Sequence, residues 1–367
     1  MKIAIDARVI SDKMHGLTRY AYQLIIALAE IDKENEYLLL SNEEKILNTV
    51  TQNSNFRFLK CNIKLYSLKE QFLIPFILKR EGVEIYHSPT FSAPIFAPCK
   101  VVMTIHDMIH LIQAEHYSPL KNLYYKLIVK TAAQKSFRVI TVSENSKKDI
   151  IRFLNVSGDK INSVYGGVDE KFEKQVNDLH KKEVKNKYFI HGKYILYIGN
   201  EKPHKNASNV IKAFDLFIKK YGSEYSIFMI GISREHIEKV LGHKAPGHFL
   251  TIKNISKDAD LVPLYQASSL ILFPSSYEGF GLPIIEGMAC GIPVITSNTS
   301  SMPEVAGDAA LMVDPENINQ ISDEIKRTLS DNNLRDALVK KGINRAKLFT
   351  WQKTAQKTLE VYKEVYS

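Results

Sequence analysis

Two glutamates, Glu278 and Glu286, bracket the run EGFGLPIIE. A strand-like stretch (LILFP) leads into Glu278-Gly279-Phe280-Gly281-Leu282, and Pro283 then opens a helix, where its missing N–H is no loss. Gly291 suits the position just past the helix end, so the spacing predicts a short helix over about 283–290. Its N-terminus presents backbone N–H groups and a partial positive charge, and the two glycines let a ligand approach the backbone. The chemistry this suits is capture of an anion, a diphosphate above all. Glu278 in the loop and Glu286 about one turn into the helix can reach hydroxyls on either side of the phosphates. The competing reading is a plain tight connection with Glu286 on a solvated face.

Other spacings suggest metals and fail on context. His106 and His110 have the i, i+4 spacing of zinc proteases, but His106 ends the strand-like run VVMTI and Asp107 follows it. Asp258 and Asp260 imitate a D-x-D metal motif, yet they follow Ser256, a good N-cap, and acids favour a first helical turn. Cys61, Cys99 and Cys290 have neither metal-ligand nor disulfide-framework spacing. No metal and no cofactor are expected.

The elements that must hold these residues alternate along the whole chain. Apolar strand-like runs at 2–7, 36–40, 85–87, 101–105 and 139–142 are separated by helical patterns, notably 18–30 and 119–136. A second series occupies 193–199, 225–231, 249–252, 270–274 and 293–297. Continuous apolar strands separated by helices predict parallel sheets covered on both faces. The charge-rich stretch 169–192 is expected as a linker with a surface helix. This gives an α/β chain with one domain over 1–168, a second over 193–349, and a ligand cleft between them at strand carboxyl ends. Residues 350–367 close the chain as a helix with Thr350 as N-cap. The 367 residues carry 45% hydrophobic content, enough for two cores, which excludes a disordered chain. The net charge of +9 is mild for this length and fits an anionic ligand or surface, with no nucleic acid expected. The N-terminus lacks a signal-peptide core and 261–277 is too short to span a bilayer, so a cytoplasmic chain, peripheral at most, is expected.

The Glu278–Glu286 segment resembles the E-x-F-G-[LM]-x-x-x-E signature of retaining glycosyltransferases of family 4, also called glycosyltransferase group 1. The resemblance extends over nearly the whole chain. HGLTRY at 15–20 resembles the family's G-I-x-R-Y loop, INSVYGGVD at 161–169 the end of its first domain, and GNEKPHKN at 199–206 its G-x-x-x-P-R-K-N loop. SSMPEVAGDAAL at 300–311 is similar to a stretch of its mannosyltransferase-like members. The resemblance implies the GT-B fold, two Rossmann-like doubly wound parallel-sheet domains facing a cleft, with the last helix packing back on the first. It implies that Glu278 contacts donor-sugar hydroxyls and Glu286 the ribose. Backbone groups of Gly279, Phe280, Gly281 and Leu282 would bind diphosphate or sugar oxygens, with His204 and Ile255 also on the donor side. Gly16 would close over the phosphates, Lys205 would neutralise the leaving diphosphate, and His106 would hold the sugar. His204 stands where the family loop usually has Arg, and a neutral imidazole stabilises phosphate less than a guanidinium.

The function this implies is transfer of a hexose, mannose from GDP-mannose, to a glycan or lipid-linked hydroxyl in cell-surface polysaccharide or glycolipid synthesis. UDP-sugar transfer, a catalytically weak nucleotide-sugar-binding partner of a glycan-assembly complex, and an epimerase are the alternatives. Residues 116–143 hold five basic side chains and no acid, with tyrosines among them. This suits an anionic membrane surface over 117–138 or a lipid-diphosphate acceptor, against an ordinary charged helix.

Overall fold

The structure is a computed structural model and describes residues 1–11, 16–43, 48, 52–116, 119–222, 224–255 and 258–367. His15, Tyr117 and the cap expected at Ser256 lie outside the described residues. Two compact units divide the chain: Met1–Gly167 with Thr350–Ser367, and Val168–Phe349.

The strands of the first unit are β1 (Lys2–Asp6), β2 (Glu36–Ser41), β3 (Phe56–Lys60), β4 (Ile85–Ser88), β5 (Lys100–Thr104), β6 (Arg138–Thr141) and β7 (Ile161–Ser163), the interior ones built from mostly buried residues. They make one sheet in the order β3-β2-β1-β4-β5-β6-β7, every pair parallel, with Ile5 opposite His87 where β1 meets β4. Helices must cover both faces of such a sheet. The helix Trp351–Tyr366 belongs to this unit: Thr350 caps it through Lys353 N–H, and its Tyr362 hydroxyl lies 2.5 Å from His87 Nδ1 in the core. The helix pattern over 119–136 is interrupted: Pro119–Tyr124 and Lys130–Lys135 are α-helical, and Tyr125–Val129 between them is a π-turn.

The second unit repeats the plan with β8 (Lys193–Ile198), β9 (Tyr225–Ile230), β10 (Phe249–Ile252), β11 (Leu270–Phe273), β12 (Val294–Ser297) and β13 (Leu311–Val313). The order is β10-β9-β8-β11-β12-β13, again all parallel. Residues 169–192, expected as a linker, pack on this unit. Phe172 is buried edge-on against Tyr265, Val176 N–H donates to Gln266, and Lys187 pairs with Asp260 at 2.5 Å. A charge-rich stretch still docks when single apolar residues such as Phe172 and Val184 fall on one side. Among the described residues no helix is long and apolar enough to cross a membrane.

Candidate active site

Each sheet has a switch point where the strand order reverses, between β1 and β4 in the first unit and between β8 and β11 in the second. Loops leaving adjacent strands there diverge and leave an opening at the carboxyl ends. Lys205 sits on the loop after β8, and Glu278 on the loop after β11. The backbone under Lys205 is held firmly. Asn206, left-handed at φ 59°, donates from its side chain to the carbonyls of Pro274 (2.9 Å) and Pro315 (2.7 Å). The Tyr197 hydroxyl donates to Lys205 O, and Ser276 N–H donates to His204 O at 2.8 Å. From this base Lys205 Nζ reaches both carboxylate oxygens of Glu278, at 2.7 and 2.9 Å. The pair is sheltered without being sealed off from solvent.

Serines that the motif reading passed over clamp the backbone of Glu278. Ser300 Oγ accepts from Glu278 N–H (3.2 Å) and donates to its carbonyl (2.7 Å), while Ser301 Oγ lies 3.0 Å from the carbonyl oxygens of Glu278 and Phe280. Ser300 holds a left-handed φ of 55°, which a non-glycine residue adopts at some cost. After Gly279 and Phe280 the chain turns at Gly281 (φ 101°) into the helix Leu282–Ala289, with this glycine at the N-cap position. A Cβ at Gly281 would combine this backbone with a 3.1 Å approach to Ile284 Cδ1. Glu286 is buried on that helix and accepts a hydrogen bond from the Tyr265 hydroxyl at 2.6 Å. The imidazole of His204 is also buried, and its main chain ties the two loops together. Ile255 lies half-buried after β10, two strands away from β8.

Gly16 and His106 belong to the first unit. Gly16 opens the helix Gly16–Ile31, and Tyr20 on that helix packs edge-on against the His106 ring at 4.5 Å. His106 Nε2 lies 2.9 Å from the carbonyl of Pro89, so Nε2 carries the proton and Nδ1 is the acceptor. Burial pushes the imidazole down to about 4, against the smaller opposing effect of the Pro89 carbonyl, so the ring is neutral near pH 7. His110 stacks on Tyr125 at 4.7 Å, an environment different from that of His106. Asp260, in the imitation metal motif, accepts from Tyr188 and pairs with Lys187.

A cluster at the first unit's switch point was missed from the sequence. Arg8 forms a two-pronged bond to Asp6 (2.7 and 2.5 Å), Tyr86 donates to Asp6 at 2.7 Å, and Glu70 lies 3.3 Å from the same guanidinium. The available signal was two opposite charges at the carboxyl end of an otherwise apolar strand. Burial of such groups is tolerated only when they are paired.

Two family models match the chain. One described as Glycosyltransferase Family 4 covers residues 14–172, and one described as Glycosyl transferases group 1 covers 178–345. The O-antigen chain mannosyltransferase B of Escherichia coli is 28% identical over 382 aligned residues, spanning 99% of this chain and 100% of that protein. Among solved structures, a glycosyltransferase from Rickettsia africae superposes with a TM-score of 0.74 at 20% identity, covering 99% of this chain and 98% of that one. Anabaena HepE in complex with UDP-glucose superposes at 0.77 and 16% identity, covering 99% and 100%.

Proposed function

The chain belongs to the group 1, family 4 glycosyltransferases and has the GT-B fold, and from that premise we propose that it transfers mannose from GDP-mannose, with retention, to a glycan or lipid-linked hydroxyl. The name of the Escherichia coli relative supports mannose and a role in cell-surface polysaccharide synthesis. The observation that carries the reading is the Lys205–Glu278 pair at a sheet switch point, beside a helix N-terminus whose cap residue is Gly281.

Transfer breaks the bond between the sugar's anomeric carbon and a phosphate oxygen. Positive charge builds on the sugar and negative charge on the leaving diphosphate. Lys205 and the backbone N–H groups of 279–282 would meet the negative charge with dipoles already in place, so little reorganisation opposes the step. Glu278 would accept hydrogen bonds from sugar hydroxyls, Glu286 would hold the ribose, and Gly16 would let main chain approach the phosphates. His106 is a neutral ring with Nδ1 as acceptor, suited to a sugar hydroxyl and unsuited to a phosphate. In the chain as described, Glu278 neutralises Lys205, so an incoming diphosphate would compete with the carboxylate for the ammonium.

The test is nucleotide release from GDP- and UDP-sugars, with and without a lipid-linked glycan extract, beside a Glu278→Ala control. Acceptor-dependent GDP release from GDP-mannose, lost in the control, supports the reading. Release from a UDP-sugar alone replaces the donor, and donor binding without release under any acceptor leaves a non-catalytic partner. NMR of the product's anomeric proton then decides retention.

A further inference from the structure

Tyr66 holds a left-handed backbone, φ 61°, which a bulky side chain adopts only at a cost. A buried carboxylate holds it there. Glu70 Oε2 accepts from Tyr66 N–H at 3.2 Å, and Glu70 is itself fixed by Arg8 at 3.3 Å and by the Ser92 hydroxyl. The Asp6–Arg8–Glu70 cluster is therefore the base on which Tyr66 stands. From it the Tyr66 ring stacks on Phe91, with centroids 4.8 Å apart and planes 17° from parallel. Phe91 packs in turn on the buried Tyr125 at 4.8 Å. Tyr66 is 38% exposed and Phe91 half-buried, so water reaches both rings.

The pair stands beside His106. Phe91 follows Pro89 on the loop after β4, and the Pro89 carbonyl is the group that anchors His106 Nε2. Phe91 also approaches the ring of His110 at 5.9 Å. The base carries no spare positive charge, because Arg8 is engaged by both Asp6 and Glu70. Burial pushes the Glu70 carboxyl up, so the charge of the cluster lies between zero and one negative. A phosphate gains nothing from such a base. A pyranose does gain from the rings above it, since its C–H groups carry slight positive charge and an aromatic face is negative. Lys64 and Lys69 are exposed on the same segment, so phosphate is the ligand to be told apart by experiment.

We propose that Tyr66 and Phe91 form a platform on which the terminal sugar of the acceptor stacks, and that this sugar is a neutral pyranose. The role as acceptor rests on the glycosyltransferase reading, whereas the stacking rests on the geometry of the first unit. Both rings then act in specificity: they select a ring with an apolar face over a phosphate. The strained backbone of Tyr66 and the buried Glu70, neither of which the transfer step uses, share one explanation.

The test is saturation-transfer NMR on the full chain with methyl glycosides of mannose, glucose, galactose and N-acetylglucosamine, with and without GDP. Transfer from protein aromatic protons to one face of at least one glycoside supports the proposal. It should fall about fivefold in Tyr66→Gly and persist in Tyr66→Phe, which keeps the ring. Glycine takes a φ of 61° without strain, so Tyr66→Gly removes the ring while relieving the backbone. No transfer to any glycoside overturns the proposal, as does transfer unchanged in Tyr66→Gly or lost equally in Tyr66→Phe. Displacement of the glycoside by inorganic phosphate overturns it too, because the site then takes anions. Ring-dependent transfer in a chain that fails to bind GDP supports the platform and removes the donor reading instead. If Tyr66→Gly melts below the wild type, the wild-type Tyr66 ring resonances decide. A shift on adding the glycoside supports stacking, and unshifted resonances overturn it.

Discussion

Lys205 and Glu278 compensate each other's charge, so removing one leaves the other uncompensated in a sheltered place. Lys205→Ala is expected to lower kcat/KM for nucleotide release by about 100-fold, within the range for losing one preorganised donor. The Lys205→Ala/Glu278→Ala double variant is expected to be little worse than the more damaging single, because the side chains act as a unit. A product of the two single losses would show that they act separately. His106 makes a prediction in pH. Its folded value of about 4 against an ordinary 6.5 leaves it neutral over the working range. The pH profile of kcat/KM should therefore show no step near 6.5 that His106→Asn removes, and its ring resonance should titrate near 4 by NMR.

The loop after β11 depends on its neighbour for shape. Ser300 closes two hydrogen bonds on the backbone of Glu278 from a left-handed conformation. Ser300→Gly relieves the backbone while losing both bonds, so kcat/KM is expected to drop about tenfold with little change in melting temperature. Equal activity in Ser300→Gly would remove the clamp from the account. Gly281→Ala should cost about 1–2 kcal/mol from its positive φ, a fall of about 2–8 °C in the melting of a unit this size. Among the elements themselves, interior strands were legible as apolar runs, whereas β3, β7 and β13 were not. Each lies at a sheet edge, and β7 and β13 are three residues long. An edge strand buries less, so β3 and β7 carry polar side chains, whereas β13 is apolar but too short to stand out as a run.

At the scale of the whole molecule, the last helix completes the first unit. Tyr362 reaches His87 Nδ1 at 2.5 Å, His87 Nε2 lies 2.8 Å from Thr104 Oγ1, and Lys100 Nζ donates to Val365 O. Tyr362→Phe is expected to cost about 1–3 kcal/mol in urea unfolding, because a buried polar atom loses its partner. His87 is pushed down to about 3, chiefly by burial and secondarily by His106, so the folded chain keeps it neutral. An unfolded imidazole takes its proton near 6.5. Below that pH the unfolded state binds the extra proton, so stability is full above 6.5 and falls progressively as pH drops toward 3. His87→Gln should flatten that acid limb, measured as melting temperature against pH.

From the sequence alone came the alternating plan, the EGFGLPIIE loop with its helix, and Lys205 and His106 at strand ends. These are local properties: apolar runs, glycine and proline positions, and spacing along one element. What only the tertiary structure decided lies between segments distant in the chain. The pairing of Lys205 with Glu278 joins two loops that meet because β8 and β11 are neighbours. The serine clamp, the Asp6–Arg8–Glu70 cluster and the stacking of Tyr66 on Phe91 belong to the same class. Aromatic side chains read as core in a sequence. Which of them water reaches depends on what the rest of the chain packs against them.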